Sequence, residues 1–105
     1  MRDFSGVNLK GVNLSDTNLE GIDLTGAYLK YANLSCTYLH KVNLHKANLE
    51  GAILWRANLS NADLSNANLT YATLSSANLS NANISGADLS CVTITGTNLT
   101  GVVCS

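Results

Sequence analysis

A leucine recurs at every fifth position along almost the whole chain. The series runs from Phe4 to Cys104, seventeen of its 21 members are Leu, and no Leu lies outside it. A small or branched residue usually precedes the Leu by two positions, with Asn or Asp between them. Ser, Thr or a charged residue usually follows the Leu, and all eight Gly occupy the fifth slot. The chain is therefore one pentapeptide pattern in unbroken register.

Neither a helix nor a regular strand can bury such a series on one side. A helix advances about 100° per residue, so Leu spaced by five would wind around all of its faces. A strand alternates sides at each residue, so Leu at an odd spacing would alternate too. A solenoid fits, because each pentapeptide can form one short side and one turn while every Leu points to a common axis. Gly and Asn in the fifth slot suit such turns, since both tolerate positive φ.

The segment Ala57–Leu69 states the repeat most clearly, as small–Asn/Asp–Leu–Ser–Asn. On these residues the chain resembles the pentapeptide-repeat proteins, whose motif is Ala-(Asp/Asn)-Leu-x-x. The match spans residues 7–101 without insertion, and residues 49–89 are nearly consensus. The resemblance implies an all-β fold, a right-handed quadrilateral parallel β-helix with about five coils of four pentapeptides. The unbroken register predicts a single domain over residues 1–105.

Four pentapeptides per coil would stack each position n on position n+20, with the Leu and small slots inward and the other three outward. Glu20 would then lie under His40, and Lys30 under Glu50, so that both pairs attract across one coil step. Exposed pairs of this kind contribute about 0–1 kcal/mol each. One outward column is rich in Asn, and we expect its side-chain amides to form a ladder. The column contains Asn18, Tyr38, Asn58, Asn78 and Asn98.

Charge is sparse and nearly balanced, with six Lys or Arg against seven Asp or Glu and a formal net charge of −1. A field this weak argues against direct binding of nucleic acid or of an anionic membrane. No run approaches the roughly 18 apolar residues of a membrane span, and the N-terminus lacks the apolar core of a signal peptide. Three unpaired cysteines (Cys36, Cys91 and Cys104) fit a reducing compartment. We expect a cytoplasmic protein, and the resemblance favours a bacterial one.

The residues offer no catalytic, metal or cofactor site. His40 and His45 are the only histidines and would lie on adjacent faces, whereas zinc needs three or four convergent ligands. No histidine would neighbour a cysteine in the stacked arrangement, so no thiol would have a base beside it. We therefore expect a protein that is not an enzyme and that has no cofactor and no small-molecule substrate.

Two surfaces are candidates for association. Aromatic and Arg side chains are favoured in protein interfaces, and the chain concentrates them before Ala57. The candidates for a partner-binding surface are Tyr28, Tyr31, Trp55 and Arg56. The stacking places Trp55 and Arg56 on one face and the two tyrosines on another, and ordinary variation on a tolerant scaffold is the alternative interpretation. Val102 and Val103 are candidates for end-to-end association into a homodimer, since a solenoid leaves open edges at its ends.

Three functions follow from this reading. A known function of the resembled family is binding of DNA gyrase or topoisomerase by a rod that mimics duplex DNA. About 24 Å of duplex carries roughly 14 negative charges, whereas this chain has a net charge of −1, so DNA mimicry is the less favoured alternative. Ice or mineral binding would need a regular Thr array, which the sequence does not suggest. We favour a structural or interaction module with an unknown protein partner.

Overall fold

A computed structural model describes residues 2–104 as a right-handed quadrilateral β-helix. Parallel bridges join each Asn/Asp-slot residue to the residue 20 positions later, from Asp3↔Asp23 to Asn83↔Val103. Each bridge is a single residue rather than an extended strand, and no helix occurs within residues 2–104. The principal extents are 28 × 22 × 22 Å, and the two equal ones are those expected of a square cross-section.

The corners of the coil are built by the fifth slot. Every residue in this slot from Gly6 to Gly101 has positive φ, between 57° and 71°. In most repeats the Leu carbonyl accepts a hydrogen bond from the N–H three residues later, as at Leu54 and Ala57 (3.0 Å). Positive φ at the third residue of such a turn has the sign that a type II turn requires. The sequence pattern therefore sets both the side and the corner of each coil.

A consensus repeat satisfies all five of its backbone N–H groups, and residues 57–61 show how. The Ala57 N–H donates to Leu54 and closes the preceding turn, and the Asn58 N–H donates to Thr37 in the coil before. The N–H groups of Leu59 and Asn61 donate to the coil after, and all four distances lie between 2.7 and 3.0 Å. The remaining N–H, that of Ser60, donates to Oδ1 of Asn58 at 3.0 Å. The Asn/Asp slot is thus needed for the hydrogen bond that the coils themselves cannot supply.

The expected ladder of stacked Asn amides is wrong as a description of the hydrogen bonds among residues 2–104. Wherever the slot holds Asn or Asp, its Oδ1 accepts from the backbone N–H two residues later in the same repeat. The local bond forms because the N–H already lies within 2.9–3.2 Å of the side-chain oxygen. In several repeats the same Oδ1 also accepts from the hydroxyl of the following Ser or Thr, as Asn58 does from Ser60 at 2.8 Å, so that both acceptor positions are used within the repeat.

The core consists of inward columns of Leu and small residues. Leucines from Leu24 to Leu79 are essentially inaccessible to solvent, and the alanines between them are buried as well. Each buried Leu contributes about 1.5–3 kcal/mol relative to an exposed one. Both ends of the coil leave equivalent positions open, with Phe4 45% and Leu99 44% exposed. The fully buried core is therefore confined to the middle of the rod.

Candidate interaction surface

The four sides of the rod are named here by the buried Leu of their middle coil. Face 1 contains Leu44, face 2 Leu49, face 3 Leu54 and face 4 Leu59. The corner between faces 2 and 3 carries Tyr31 and Tyr71, 40 positions apart in one column. Trp55 and Arg56 form the corner between faces 3 and 4 in the middle coil.

Large apolar side chains that are exposed away from the ends gather around face 3. Ile53 is 43% exposed at the centre of this face, and Trp55 is 42% exposed at its corner. Tyr31 and Tyr71 border the opposite edge with 55% and 66% exposure. Tyr38, on face 4, is the remaining one among the described residues. We call Tyr31, Ile53, Trp55, Arg56 and Tyr71 the apolar side of the rod.

Trp55 and Arg56, both predicted from the sequence, contact each other directly. The Arg56 guanidinium carbon lies 4.7 Å from the centroid of the Trp55 ring, in cation–π contact. Within residues 2–104, no carboxylate lies within 4.0 Å of the guanidinium. Arg56 therefore presents a positive charge that lies over an aromatic ring and has no ionic partner in the described chain.

The predicted tyrosines have different environments. Tyr28 is half-buried on face 2, whereas Tyr31 lies at the corner and so borders face 3 rather than a separate surface. Its ring lies over Gly51, where a Cβ atom would be only 2.7 Å from it. Lys30 lies 5.1 Å from the Tyr31 ring centroid and 3.7 Å from Glu50, as the stacking predicted. The Glu50 carboxylate, and then Tyr31, raise the pKa of Lys30.

Ile53 was not among the residues predicted from the sequence, and it leaves the backbone N–H two residues later without its usual acceptor. Ile53, Thr73 and Thr93 replace Asn or Asp in three successive coils of face 3. The N–H groups two residues later therefore lack the Oδ1 acceptor that repeats with Asn or Asp in this slot supply, and no other acceptor for them is found within residues 2–104. These N–H groups belong to Trp55, Ser75 and Thr95. The signal in the sequence is the apolar Ile53 in an outward slot that usually holds Asn or Asp.

The histidines form local polar contacts and no metal site. His40 Nε2 lies 3.0 Å from Glu20, as the stacking predicted. His45 Nδ1 lies 2.8 Å from Ser65 Oγ, which itself donates to Asp63 Oδ1 at 2.5 Å. Because the serine hydrogen is engaged by Asp63, the histidine must be the donor, and Ser65 is not set up as a nucleophile. No group of three or more His, Cys, Asp or Glu in residues 2–104 could hold a metal ion.

The rod ends are apolar and open. At the N-terminal end the first coil surrounds a cavity of about 280 Å³, lined mainly by Phe4 and the inward Leu and Val residues of that coil. At the other end Val103 is 48% exposed and Val102 is partly buried. Cys36, Cys91 and Cys104 are free thiols, and Cys104 lies at the same open end as the two valines.

The part of the chain that the structure describes contains no helix that is long and apolar enough to cross a membrane. A relative from a plant organelle, described below, shows that proteins of this architecture also occur outside the cytoplasm.

Comparison with known proteins identifies the scaffold. A sequence profile described as "Pentapeptide repeats" matches in eight copies over residues 3–40, 43–81 and 67–103. A pentapeptide repeat protein from Nostoc PCC 7120 is 33% identical, with a TM-score of 0.83, and the match covers 99% of this chain and 85% of that one. A search of curated proteins gives no match.

Two further structures show how widely the architecture is used. A pentapeptide repeat protein from the thylakoid lumen of Arabidopsis thaliana is 32% identical with a TM-score of 0.59, and the match covers 93% of this chain but spans only 65% of that one. The plasmid-mediated fluoroquinolone resistance protein QnrB1 is 18% identical with a TM-score of 0.52, over 98% of this chain and 67% of that one, which shows a shared fold alone. From its profile match and its Nostoc relative, this chain belongs to the pentapeptide-repeat family.

Proposed function

We propose that this chain is a non-enzymatic scaffold that presents the apolar side of the rod to a protein partner. The observation that carries the proposal is the grouping of Ile53, Trp55 and the bordering tyrosines around face 3, next to an Arg56 without an ionic partner. Elsewhere the outward slots of the middle coils carry mostly Asn, Ser and Thr. The three free thiols are consistent with action in a reducing compartment, the cytoplasm.

The composition of this side resembles the centre of a protein interface. Interface anchors are enriched in Trp, Tyr and Arg, and a few of them usually supply most of the binding free energy. Trp55 and Arg56 are already in contact, which lowers the conformational entropy that a partner would have to remove on binding. Tyr31 is held over Gly51 and would form part of the rim, while half-buried Tyr28 would contribute less.

Partner capture from a host lysate tests the proposal, with cross-linking and mass spectrometry as the readout. We expect Trp55→Ala and Arg56→Ala to reduce recovery of the same partner by at least about tenfold, because losing a single hot-spot side chain commonly has an effect of this size. Lys46→Ala is the matched control, since Lys46 is an exposed cation on the corner between faces 1 and 2. Circular dichroism melts verify that each variant folds. Recovery unchanged in both test variants would refute the chosen surface.

Inhibition of DNA gyrase is the alternative function. The likeness to QnrB1 extends to the fold alone, and a net charge of −1 gives the rod little of the negative potential of duplex DNA. We expect no effect of the protein on gyrase supercoiling at micromolar concentration. Inhibition in that assay would replace the scaffold proposal with DNA mimicry.

We also propose weak end-to-end association through Val102 and Val103. A square cross-section with 22 Å sides gives an end face of about 480 Å² per copy, so a pair of ends buries near the lower limit for a specific interface. The expected dimer is therefore concentration-dependent. Light scattering at increasing concentration measures it, and Val103→Asn, which restores the consensus residue, should shift the equilibrium towards monomer. A monomer at every concentration would contradict the proposal.

A further inference from the structure

We propose that the partner segment bound by the apolar side is acidic as well as apolar. Its carboxylate would be received by the Arg56 guanidinium and the Trp55 backbone N–H, while its apolar side chains would pack on Ile53 and Trp55. The inference rests on the proposed function and deepens it, because it names the chemistry of the partner.

The Trp55 backbone N–H is a hydrogen-bond donor for which residues 2–104 supply no acceptor. In every described repeat with Asn or Asp in the outward slot, a side-chain oxygen of that residue accepts from the N–H two positions later, as Asn58 accepts from Ser60. The carboxylate of Asp63 does the same for Ser65 at 2.9 Å. Ile53 has no such oxygen, so the Trp55 N–H has no acceptor within residues 2–104. A partner carboxylate would supply in trans the oxygen that the neighbouring repeats supply in cis.

Arg56 lies on a side of the rod that carries no acidic residue in the middle coils. Residues 31–36, 51–56 and 71–76 form face 3 and its two bordering corners in the middle coils, and they contain no Asp or Glu. The nearest acid in sequence, Glu50, is occupied by Lys30 at 3.7 Å. Arg56 is therefore a cation on a surface without acids, and a carboxylate that binds it gains a charge-assisted hydrogen bond. Its contact with the Trp55 ring limits the orientations of the guanidinium before binding.

The same observations disfavour two other occupants. Face-to-face pairing with a second copy would place Arg56 opposite another acid-free surface, so it would gain no ionic partner. A nucleic acid strand needs several cations along its phosphates, and face 3 and its corners in the middle coils supply only Arg56. Both remain outcomes that the experiment can detect.

Fluorescein-labelled twelve-residue peptides test the inference directly. Three matched peptides alternate Leu and Phe with Glu, with Gln or with Lys, and anisotropy measures their binding to the folded chain. We expect the Glu peptide to bind at least about tenfold more tightly than the Gln peptide, and the Lys peptide not to bind. Arg56→Gln should abolish this preference, and Lys46→Gln, the control on another corner, should retain it.

Ile53→Asn separates binding from folding. This change removes an apolar contact and gives the Trp55 N–H an acceptor in cis, so the rod should be at least as stable while the Glu peptide binds at least about tenfold more weakly. Equal binding of the Glu and Gln peptides, equal effects of Arg56→Gln and Lys46→Gln, or binding of none of the peptides would overturn the inference. Dimerisation of the free chain that Arg56→Gln disrupts, or tighter binding of single-stranded DNA than of the Glu peptide, would also overturn it.

The two proposals fail in different ways. If lysate capture depends on Trp55 but the partner contacts carry no Asp or Glu, the acidic chemistry is wrong and the scaffold proposal stands. If captured partners are insensitive to Trp55 and Arg56, the scaffold proposal fails at this surface whatever the peptides do.

Discussion

The hydrogen bond from the Asn/Asp slot can be removed in one repeat and added in another, with opposite expected effects on stability. Asn58→Ala removes the acceptor of the Ser60 N–H (3.0 Å) and of the Ser60 hydroxyl (2.8 Å). A net hydrogen bond contributes about 0.5–1.5 kcal/mol, and Ser60 is only partly buried, so water replaces part of the loss. We expect the free energy of unfolding to fall by about 1–2 kcal/mol.

The reverse change is Thr73→Asn on face 3. It gives the Ser75 N–H the Oδ1 acceptor that this repeat lacks, on a backbone whose turn already has the same geometry. We expect the free energy of unfolding to rise by about 1 kcal/mol. Both positions lie in middle coils, so fraying of the ends does not obscure the comparison.

Urea unfolding followed by circular dichroism measures both effects, and thermal melts provide a second reading. A change of 1 kcal/mol moves the midpoint by about 4–8 °C in a domain of 60–100 residues, and this chain of 105 residues should respond similarly. Asn58→Asp is the control, because it keeps an oxygen at the same position. If Asn58→Ala and Thr73→Asn both leave stability unchanged, or shift it in the same direction, the side-chain acceptor does not stabilise the turn.

Three further changes examine other parts of the scaffold. Gly51→Ala should lower the free energy of unfolding more than Gly26→Ala does in urea titrations. Both positions have a positive φ (66° and 64°) that strains Ala equally, but only at Gly51 would a tyrosine ring lie 2.7 Å from the new Cβ, so equal losses would show that the ring moves away. The Ser90 hydroxyl and backbone N–H lower the pKa of Asp88, so NMR titration should place this pKa below that of an Asp in an unfolded chain. Its contribution to stability is then present above the unfolded pKa and lost as pH falls through the lowered folded pKa, and Asp88→Asn should remove this dependence. Leu54→Ala should lower the free energy of unfolding by about 2–5 kcal/mol in denaturant titrations, and a loss below about 1 kcal/mol would mean that the column collapses around the gap.

The fold was predictable because its information is periodic. Leu at every fifth position excludes helices and strands. The Gly and Asn in 11 of the 20 fifth slots from Gly6 to Gly101 indicated the positive φ, which the other nine corner residues adopt as well. The contacts of Glu20 with His40 and of Lys30 with Glu50 followed from the twenty-residue stacking alone. These predictions needed only the register, which the sequence states in each repeat.

The candidate surface was only partly predictable. Trp55 and Arg56 stood out as residue types, but their contact depends on side-chain orientation, which the repeat does not specify. Ile53 was overlooked because one apolar residue in a polar slot resembles neutral variation. Its effect lies in the backbone, where the Trp55 N–H lacks the acceptor that Asn58 supplies to Ser60, and the same local bonds take the place of the expected amide ladder.

The twenty-residue stacking has a consequence for how such a chain could change in evolution. Loss or gain of one pentapeptide would keep the interior intact, because every later Leu would still point inward. It would also turn everything downstream by a quarter of a revolution, so that Tyr71 would no longer share an edge with Tyr31. Only changes in multiples of twenty residues preserve which side chains share a side. Insertions and deletions in this gene would thus recombine surfaces without disturbing the interior, and the length of each indel determines whether an existing binding side survives.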